Sequence, residues 1–178
     1  MRRGIFHKGY FPSFTLFGVP VSIHWSFPAA GIFLSIFLGN SELGYILPLI
    51  AAYTLLIIIH EFGHAIGAWS AGMKVHEITV DASGGWCRAD EPRHFKQKFF
   101  FYAGGLLAQL AVFMVTVFFL AIFGQPSNTA LNLTVFVITV VNGILFFTNL
   151  IPYGENDGKK IYNLIKRELF YCIQSTLF

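Results

Sequence analysis

Four long apolar runs limit what this chain can fold into more than any other feature. A transmembrane helix needs about 20 predominantly apolar residues. The runs extend from about Val19 to Leu38, Leu43 to Trp69, Phe99 to Phe123 and Ala130 to Pro152. Only 12% of the residues are charged, whereas soluble domains carry about 25%. We therefore expect a mainly α-helical, polytopic membrane protein with about four transmembrane helices.

The lysines and arginines fall into three blocks, which indicate how the runs cross the bilayer. One block precedes the first run, one separates the second from the third, and one follows the fourth: Arg2, Arg3 and Lys8; Lys74, Arg88, Arg93, Lys96 and Lys98; Lys159, Lys160, Lys166 and Arg167. With four crossings, all three blocks lie on one side, which the positive-inside rule assigns to the cytoplasm. We therefore predict a multi-pass protein of the cell membrane with both termini in the cytoplasm.

Three ionisable residues occur within the second run, in the sequence His60-Glu61-Phe62-Gly63-His64. Residues four apart on a helix lie on one side, because four steps of 100° come to 400°. Two histidines at this spacing, with a glutamate after the first, are typical of two zinc ligands and a general base that activates water. The alternative is a polar cluster that hydrogen-bonds helices together, although ionisable groups at membrane depth are costly and usually functional.

The segment after the fourth run contains the candidate third ligand, Asp157. A proline and a glycine break the helix there, and irregular backbone at membrane depth is tolerated where it lines a site. Catalytic zinc commonly has three protein ligands and an open fourth position, so His60, His64 and Asp157 are the predicted set for one ion. The alternative role of Asp157 is a helix N-cap. Glu155 is the alternative candidate for the third ligand. His24 is expected to lie at the membrane interface and not to be a ligand.

A change of pattern between the second and third runs predicts a short β-hairpin. Val75, Ile78 and Val80 precede a Ser83-Gly84-Gly85 turn. An open sheet edge cannot face lipid, so protein or the interface must cover it. Its free edge either binds an extended peptide by strand addition or belongs to a hairpin that only links two helices. Both interpretations stay open.

Small residues predict that the second and third runs pack against each other. Such residues four apart let membrane helices approach closely. They are Gly63 and Gly67 in the second run and Ala103, Gly104, Gly105 and Ala108 in the third. Gln109 would then face the bundle interior, with a packing role favoured over a chemical one.

The chain's last segment, from Lys159 to Tyr171, has the pattern of an amphipathic helix. The apolar residues Ile161, Leu164, Ile165 and Leu169 fall on one face, and Lys160, Asn163, Lys166 and Arg167 fall on the other. Such a helix is typical of the membrane surface. The alternative is a terminal helix packed on the cytoplasmic face of the protein.

These motifs resemble those of the site-2 proteases, the zinc-dependent intramembrane metalloproteases. The match lies in His60-Glu61-Phe62-Gly63-His64, in Asn149-Leu150-Ile151-Pro152 followed by Asp157-Gly158, and in Gly18–Ser26, which is similar to the start of the family's first segment. The chain differs from the family pattern at Gly154, where a second proline is usual, at Lys159, where a second glycine is frequent, and at Gly104-Gly105 and Gln109, where Gly-Pro and a following Asn are usual.

The resemblance implies an endopeptidase that cleaves a transmembrane segment of another membrane protein near the cytoplasmic side. It implies that Glu61 acts as the general base, that His60, His64 and Asp157 hold one zinc ion, and that Asn149 binds the substrate backbone. For Asn149 a packing hydrogen bond is an equal alternative. Residues 1–178 would form a single membrane-embedded metalloprotease core without the PDZ or CBS domain of many relatives.

Two other functions are weighed against this one. An inactive homologue would bind membrane helices as a subunit or chaperone, and a metal carrier would move zinc, although a single site near one face argues against transport. The expected partners are a membrane-protein substrate, the lipid bilayer, and a regulatory subunit or an oligomer. Nucleic acid is not expected as a partner.

Overall fold

The chain is mainly helical, as predicted, and a small sheet packs beside the helices. A computed structural model describes residues 9–11, 13–29, 32 and 43–177. Its elements in chain order are β1 (Phe14–Leu16), β2 (Val19–Ile23), α1 (Leu43–Ser70), β3 (Val75–Asp81), β4 (Gly84–Ala89), α2 (Phe95–Phe123), α3 (Thr129–Phe136), a π-helical segment (Val137–Val141), α4 (Asn142–Leu150) and α5 (Asp157–Leu177).

Three helical stretches of the described residues are long and apolar enough to cross a membrane. They are Ile46–Ser70, Phe95–Phe123 and Thr129–Leu150, the last formed by α3, the π segment and α4 together. They coincide with the second, third and fourth apolar runs, so these three predicted spans are confirmed in position. The first run differs, because its start is strand β2 and not helix. Residues 30–31 and 33–42, which hold most of its remainder, lie outside the described residues.

Helices α1 and α2 pack with their backbones in close approach. A Cβ atom added to Gly63 would overlap the carbonyl group of Gly104, and one added to Gly67 would overlap the carbonyl group of Phe100. The two pairs are each four residues apart, so they lie on one face of each helix. This confirms the predicted packing, and it fixes the rotation of α1, which carries both histidines, relative to α2.

The predicted hairpin of β3 and β4 belongs to a four-stranded mixed sheet. The strand order is β1-β2-β3-β4, with β2 parallel to β3 and the other pairs antiparallel. Val21, Ile78 and Val80 are fully buried and pack with Ala65 and Ala68 of α1. One edge of β3 is therefore covered by β2, and β4 is left as an edge strand among the described residues, beside the helix that carries the histidines.

The last membrane-spanning stretch contains a π turn that the sequence did not predict. The N–H of Asn142 bonds to the carbonyl of Val137, five residues earlier. The wider turn lets both residues face the bundle: Val137 packs with Ala52 and Leu56 of α1, and Asn142 is fully buried. The Asn142 side chain donates to the main-chain carbonyl of Gln109 at 3.0 Å. Gln109 is buried in the bundle interior, as predicted.

Candidate metal centre

His60, His64 and Asp157 converge, with one ligand atom from each lying within 4.8 Å of the others. Helix α1 presents the two imidazoles on one side, and Asp157 is the first residue of α5. The two Nε2 atoms are 3.1 Å apart, and each lies 3.2 Å from Oδ2 of Asp157. All three side chains are largely buried. The sequence thus predicted correctly that two distant segments bring these side chains together.

The spacing of these three atoms suits a tetrahedral zinc ion. Zinc holds imidazole nitrogen at about 2.0–2.1 Å and carboxylate oxygen at a similar distance, so at the tetrahedral angle two ligand atoms are roughly 3.3 Å apart. The measured separations are 3.1, 3.2 and 3.2 Å. Nitrogen and oxygen donors are those that zinc prefers, and three protein ligands leave one position open. The residues present therefore fit a catalytic type of zinc site.

A contact behind the ligands holds one of them, His64, in orientation. The Nδ1 atom of His64 lies 2.7 Å from the carbonyl oxygen of Phe101, so that Nδ1–H donates and Nε2 keeps its lone pair for the site. The Nδ1 atom of His60 is buried without a hydrogen-bond partner. Burial alone would raise the pKa of Asp157, but its hydrogen bonds with His60 and His64 outweigh burial and hold that pKa below its ordinary value.

Glu61 lies beside the three ligands and against the hairpin. Its side chain is buried, and a Cβ atom added to Gly85 of β4 would stand 2.5 Å from its Cγ and Oε1 atoms. The absence of a side chain at Gly85 therefore makes room for this carboxylate. Burial and the nearby Glu61 charge also raise the pKa of the Cys87 thiol on β4 to about 12. Helix α1 thus supplies the carboxylate, and the hairpin encloses it.

Gly105 was predicted only as a packing residue, but it makes room for the imidazoles. A Cβ atom there would stand 2.6 Å from Cε1 of His60 and 2.7 Å from Nε2 of His64. Gly105 follows Phe101 by four residues on α2, so one face of that helix supplies both the carbonyl that orients His64 and the space that the rings need. The Gly104-Gly105 pair in the sequence indicated close helix packing, but it does not show which of the two glycines faces the histidines.

A pocket of about 390 Å³ opens onto these groups, within the usual range for ligand sites. Asn149, predicted to bind substrate, lines it, together with Gln109 of α2 and Leu145 of α4. Residues 83–87 of the hairpin line it as well. Glu155 also lines the pocket but is not one of the three converging ligands in the described part of the chain.

His24 lies apart from this group. Its Nδ1 atom is 2.7 Å from the Ser26 hydroxyl, and its ring packs on Tyr10 and Trp25. Among the described residues it is therefore not part of the ligand cluster.

Comparison with known proteins defines the class to which this site belongs. The Peptidase M50B-like family matches residues 29–152, more than half of the chain, so the chain belongs to that family. The resemblance to site-2 proteases is thereby confirmed, and the protein is a multi-pass membrane protein of that family. The matched range includes the histidine motif and Asn149 but ends before Asp157.

A sequence comparison and a structure comparison each find a similar protein in Methanocaldococcus jannaschii. A zinc metalloprotease of that organism is 25% identical over 169 residues, covering 92% of this chain and 47% of the relative. The chain thus spans about half the length of this relative. A site-2 protease structure matches with a TM-score of 0.69 at 23% identity, covering 89% of this chain and 72% of that one. At that identity the match establishes the fold alone.

Proposed function

We propose that this chain is an intramembrane zinc endopeptidase that cleaves a transmembrane segment of another membrane protein near the cytoplasmic side. One observation carries the proposal: three metal-ligand atoms and a buried carboxylate share one pocket between membrane-spanning helices. Ionisable groups are expensive at that depth and are therefore functional by default. Membership of a peptidase family agrees with this chemistry.

His60, His64 and Asp157 are the proposed ligands of one zinc ion. When bound, zinc supplies Lewis acidity, which lowers the pKa of water to about 7 and polarises a carbonyl. The hydrogen bond between His64 Nδ1 and the Phe101 carbonyl keeps the correct nitrogen available for the ion. Gly105 keeps the space beside both rings open.

Glu61 is the proposed general base. It follows His60 directly on α1 and lines the same pocket as the three ligands, and a water molecule would fit in this pocket. Glu61 would take a proton from that water and pass it to the leaving amine of the cleaved peptide. Its packing against Gly85 limits how far the carboxylate can swing. This fixed position is what a general base requires.

Substrate binding is the proposed role of β4 and Asn149. Peptide bonds in a helix are shielded, so the substrate must unwind locally before cleavage. Every second residue of edge strand β4 points its N–H and C=O groups away from β3, and these groups can pair with an extended segment. Asn149 lines the same pocket as the hairpin residues and would hydrogen-bond the substrate's main chain there.

The decisive experiment compares Glu61→Gln with the unchanged protein in proteoliposomes that contain a transmembrane substrate. We expect both proteins to bind one zinc ion and only the unchanged protein to cleave, with a loss of at least about 100-fold in the variant. His60→Ala serves as the control that loses zinc. Equal cleavage by both proteins would rule out the proposed base, and zinc binding without any cleavage would favour the inactive, helix-binding homologue.

A further inference from the structure

Helix α5 presents an apolar stripe that points away from the protein. At 100° per residue, Tyr162, Ile165, Leu169 and Ile173 fall within a sector of about 80°. Their side chains are 49, 40, 59 and 59% exposed. A helix of a soluble protein would turn such a stripe towards the core. Here the stripe is not covered by the described residues, so it contacts water, lipid or another protein surface.

The opposite side of α5 fixes this orientation. Asp157 contacts both histidines, the Lys160 ammonium lies 5.4 Å from the centre of the Tyr102 ring, and Leu164 is 4% exposed. These three positions centre about 150° from the stripe on the helical wheel. Leu164 therefore faces the bundle and does not share a face with Ile165 and Leu169, whereas the sequence pattern predicted one shared face. Helix α5 therefore cannot bury its stripe against the bundle without withdrawing Asp157 from the ligand cluster.

Charge and position favour a lipid surface as the occupant of this face. Lys159 and Lys166 lie beside the stripe, within about 80° of its centre, where their ammonium groups would meet anionic headgroups. The Lys159 ammonium lies 5.9 Å from the Tyr162 ring centre. The membrane-spanning stretch ends at Leu150 and α5 begins only seven positions later, at Asp157. Helix α5 is not among the stretches apolar enough to span.

We propose that α5 lies in the plane of the membrane surface next to the metal site, with its apolar stripe at the acyl boundary and its lysines among anionic lipid headgroups. Because Asp157 is the first residue of α5, this lipid contact holds the carboxylate at the depth of the two histidines. The membrane thereby becomes part of the support for the third ligand. This second step depends on the proposed function of the metal site, whereas the lipid contact does not.

Fluorescence quenching tests the lipid contact. Single cysteines are placed at Leu169→Cys, on the stripe, and at Asn163→Cys, on the polar side, in a Cys87→Ser, Cys172→Ser protein, and are labelled with an environment-sensitive fluorophore in nanodiscs of neutral and anionic phospholipid. We expect shallow doxyl-lipid to quench the probe at position 169 at least about threefold more than the probe at 163, and aqueous iodide to show the reverse order.

Two results would overturn the lipid contact. Iodide quenching of position 169 equal to that of position 163 would mean that water covers the stripe. A buried signal at 169 that resists doxyl-lipid and disappears on dilution would mean that a second copy of the chain covers it.

Cobalt binding tests the effect on the metal site. The double variant Ile165→Asn, Leu169→Asn should bind Co²⁺, read from its visible absorption, about tenfold more weakly in anionic nanodiscs, while Asn163→Ser should bind it as the unchanged protein does. Unaltered affinity in the double variant would refute the support of Asp157 by lipid. His60→Ala must abolish the spectrum; if it does not, the proposed metal site fails, while the quenching result stands by itself.

Discussion

Replacement of Gly105 by alanine is expected to damage the metal site without removing any ligand. The new Cβ atom would stand 2.6 Å from Cε1 of His60 and 2.7 Å from Nε2 of His64, whereas ordinary contact begins near 3.4 Å. The difference, 3.4 − 2.6, requires a displacement of about 0.8 Å, and metal–ligand distances tolerate only about 0.2 Å. The His64 ring cannot swing aside without losing its hydrogen bond to Phe101.

The expected loss is about 10- to 100-fold in metal affinity, the range seen when outer contacts of a metal site are disturbed. This corresponds to about 1.4–2.7 kcal/mol. The assay is a titration with Co²⁺ in nanodiscs, followed by visible absorption, with a thermal melt to measure folding. Gly143→Ala is the matched control, because its added Cβ meets nothing closer than the Phe113 ring at 3.9 Å. Cobalt affinity in Gly105→Ala equal to that of the control would refute the steric argument.

Three further predictions concern the packing of α1 against α2, the Cys87 thiol and the Asp90 carboxylate. Gly67→Ala should lower the melting temperature far more than Gly143→Ala does, because the added methyl group overlaps a main-chain carbonyl of α2; equal melting temperatures would contradict the packing. Cys87, with its pKa of about 12, should resist iodoacetamide at pH 8 in the native protein and react after denaturation, as measured by mass spectrometry. The hydrogen bond from the Lys74 N–H lowers the pKa of Asp90. The ionised Asp90 therefore stabilises the folded state above about pH 3.9, the unfolded pKa, and this stabilisation is lost as pH falls through the lower folded pKa. Asp90→Asn should therefore melt lower than the unchanged protein at pH 7 and equally at low pH.

The three confirmed spans were predictable because their information is local. Each is a run of apolar residues longer than a soluble helix normally carries, and its limits follow from composition alone. The histidine spacing was equally local, since a helix places residues four apart on one side. Asp157 required only the topology, because an even number of further crossings returns the chain to the same face.

The start of the first run and the π turn depended on contacts that the sequence pattern hides. Strand β2 pairs in parallel with β3, with Val21 opposite Ile78, and that distant partner decides its conformation. The apolar residues of β2 have the same composition as the start of a membrane-spanning helix, so composition does not distinguish the two. The residue types of the π segment do not differ from those of an ordinary apolar α-helix. The π turn instead accompanies the packing of Val137 and the burial of Asn142. The role of Gly105 similarly depends on which face of α2 meets the imidazoles.

X-ray absorption at the zinc edge, on protein reconstituted in bilayers, tests the central claim most directly. The proposed ligand set predicts two imidazole nitrogens at about 2.0–2.1 Å and carboxylate oxygen at about 2.0–2.2 Å, with the carboxylate contribution lost in Asp157→Ala. A spectrum that contains sulfur at about 2.3 Å, or one that Asp157→Ala leaves unchanged, would contradict a zinc ion held by His60, His64 and Asp157.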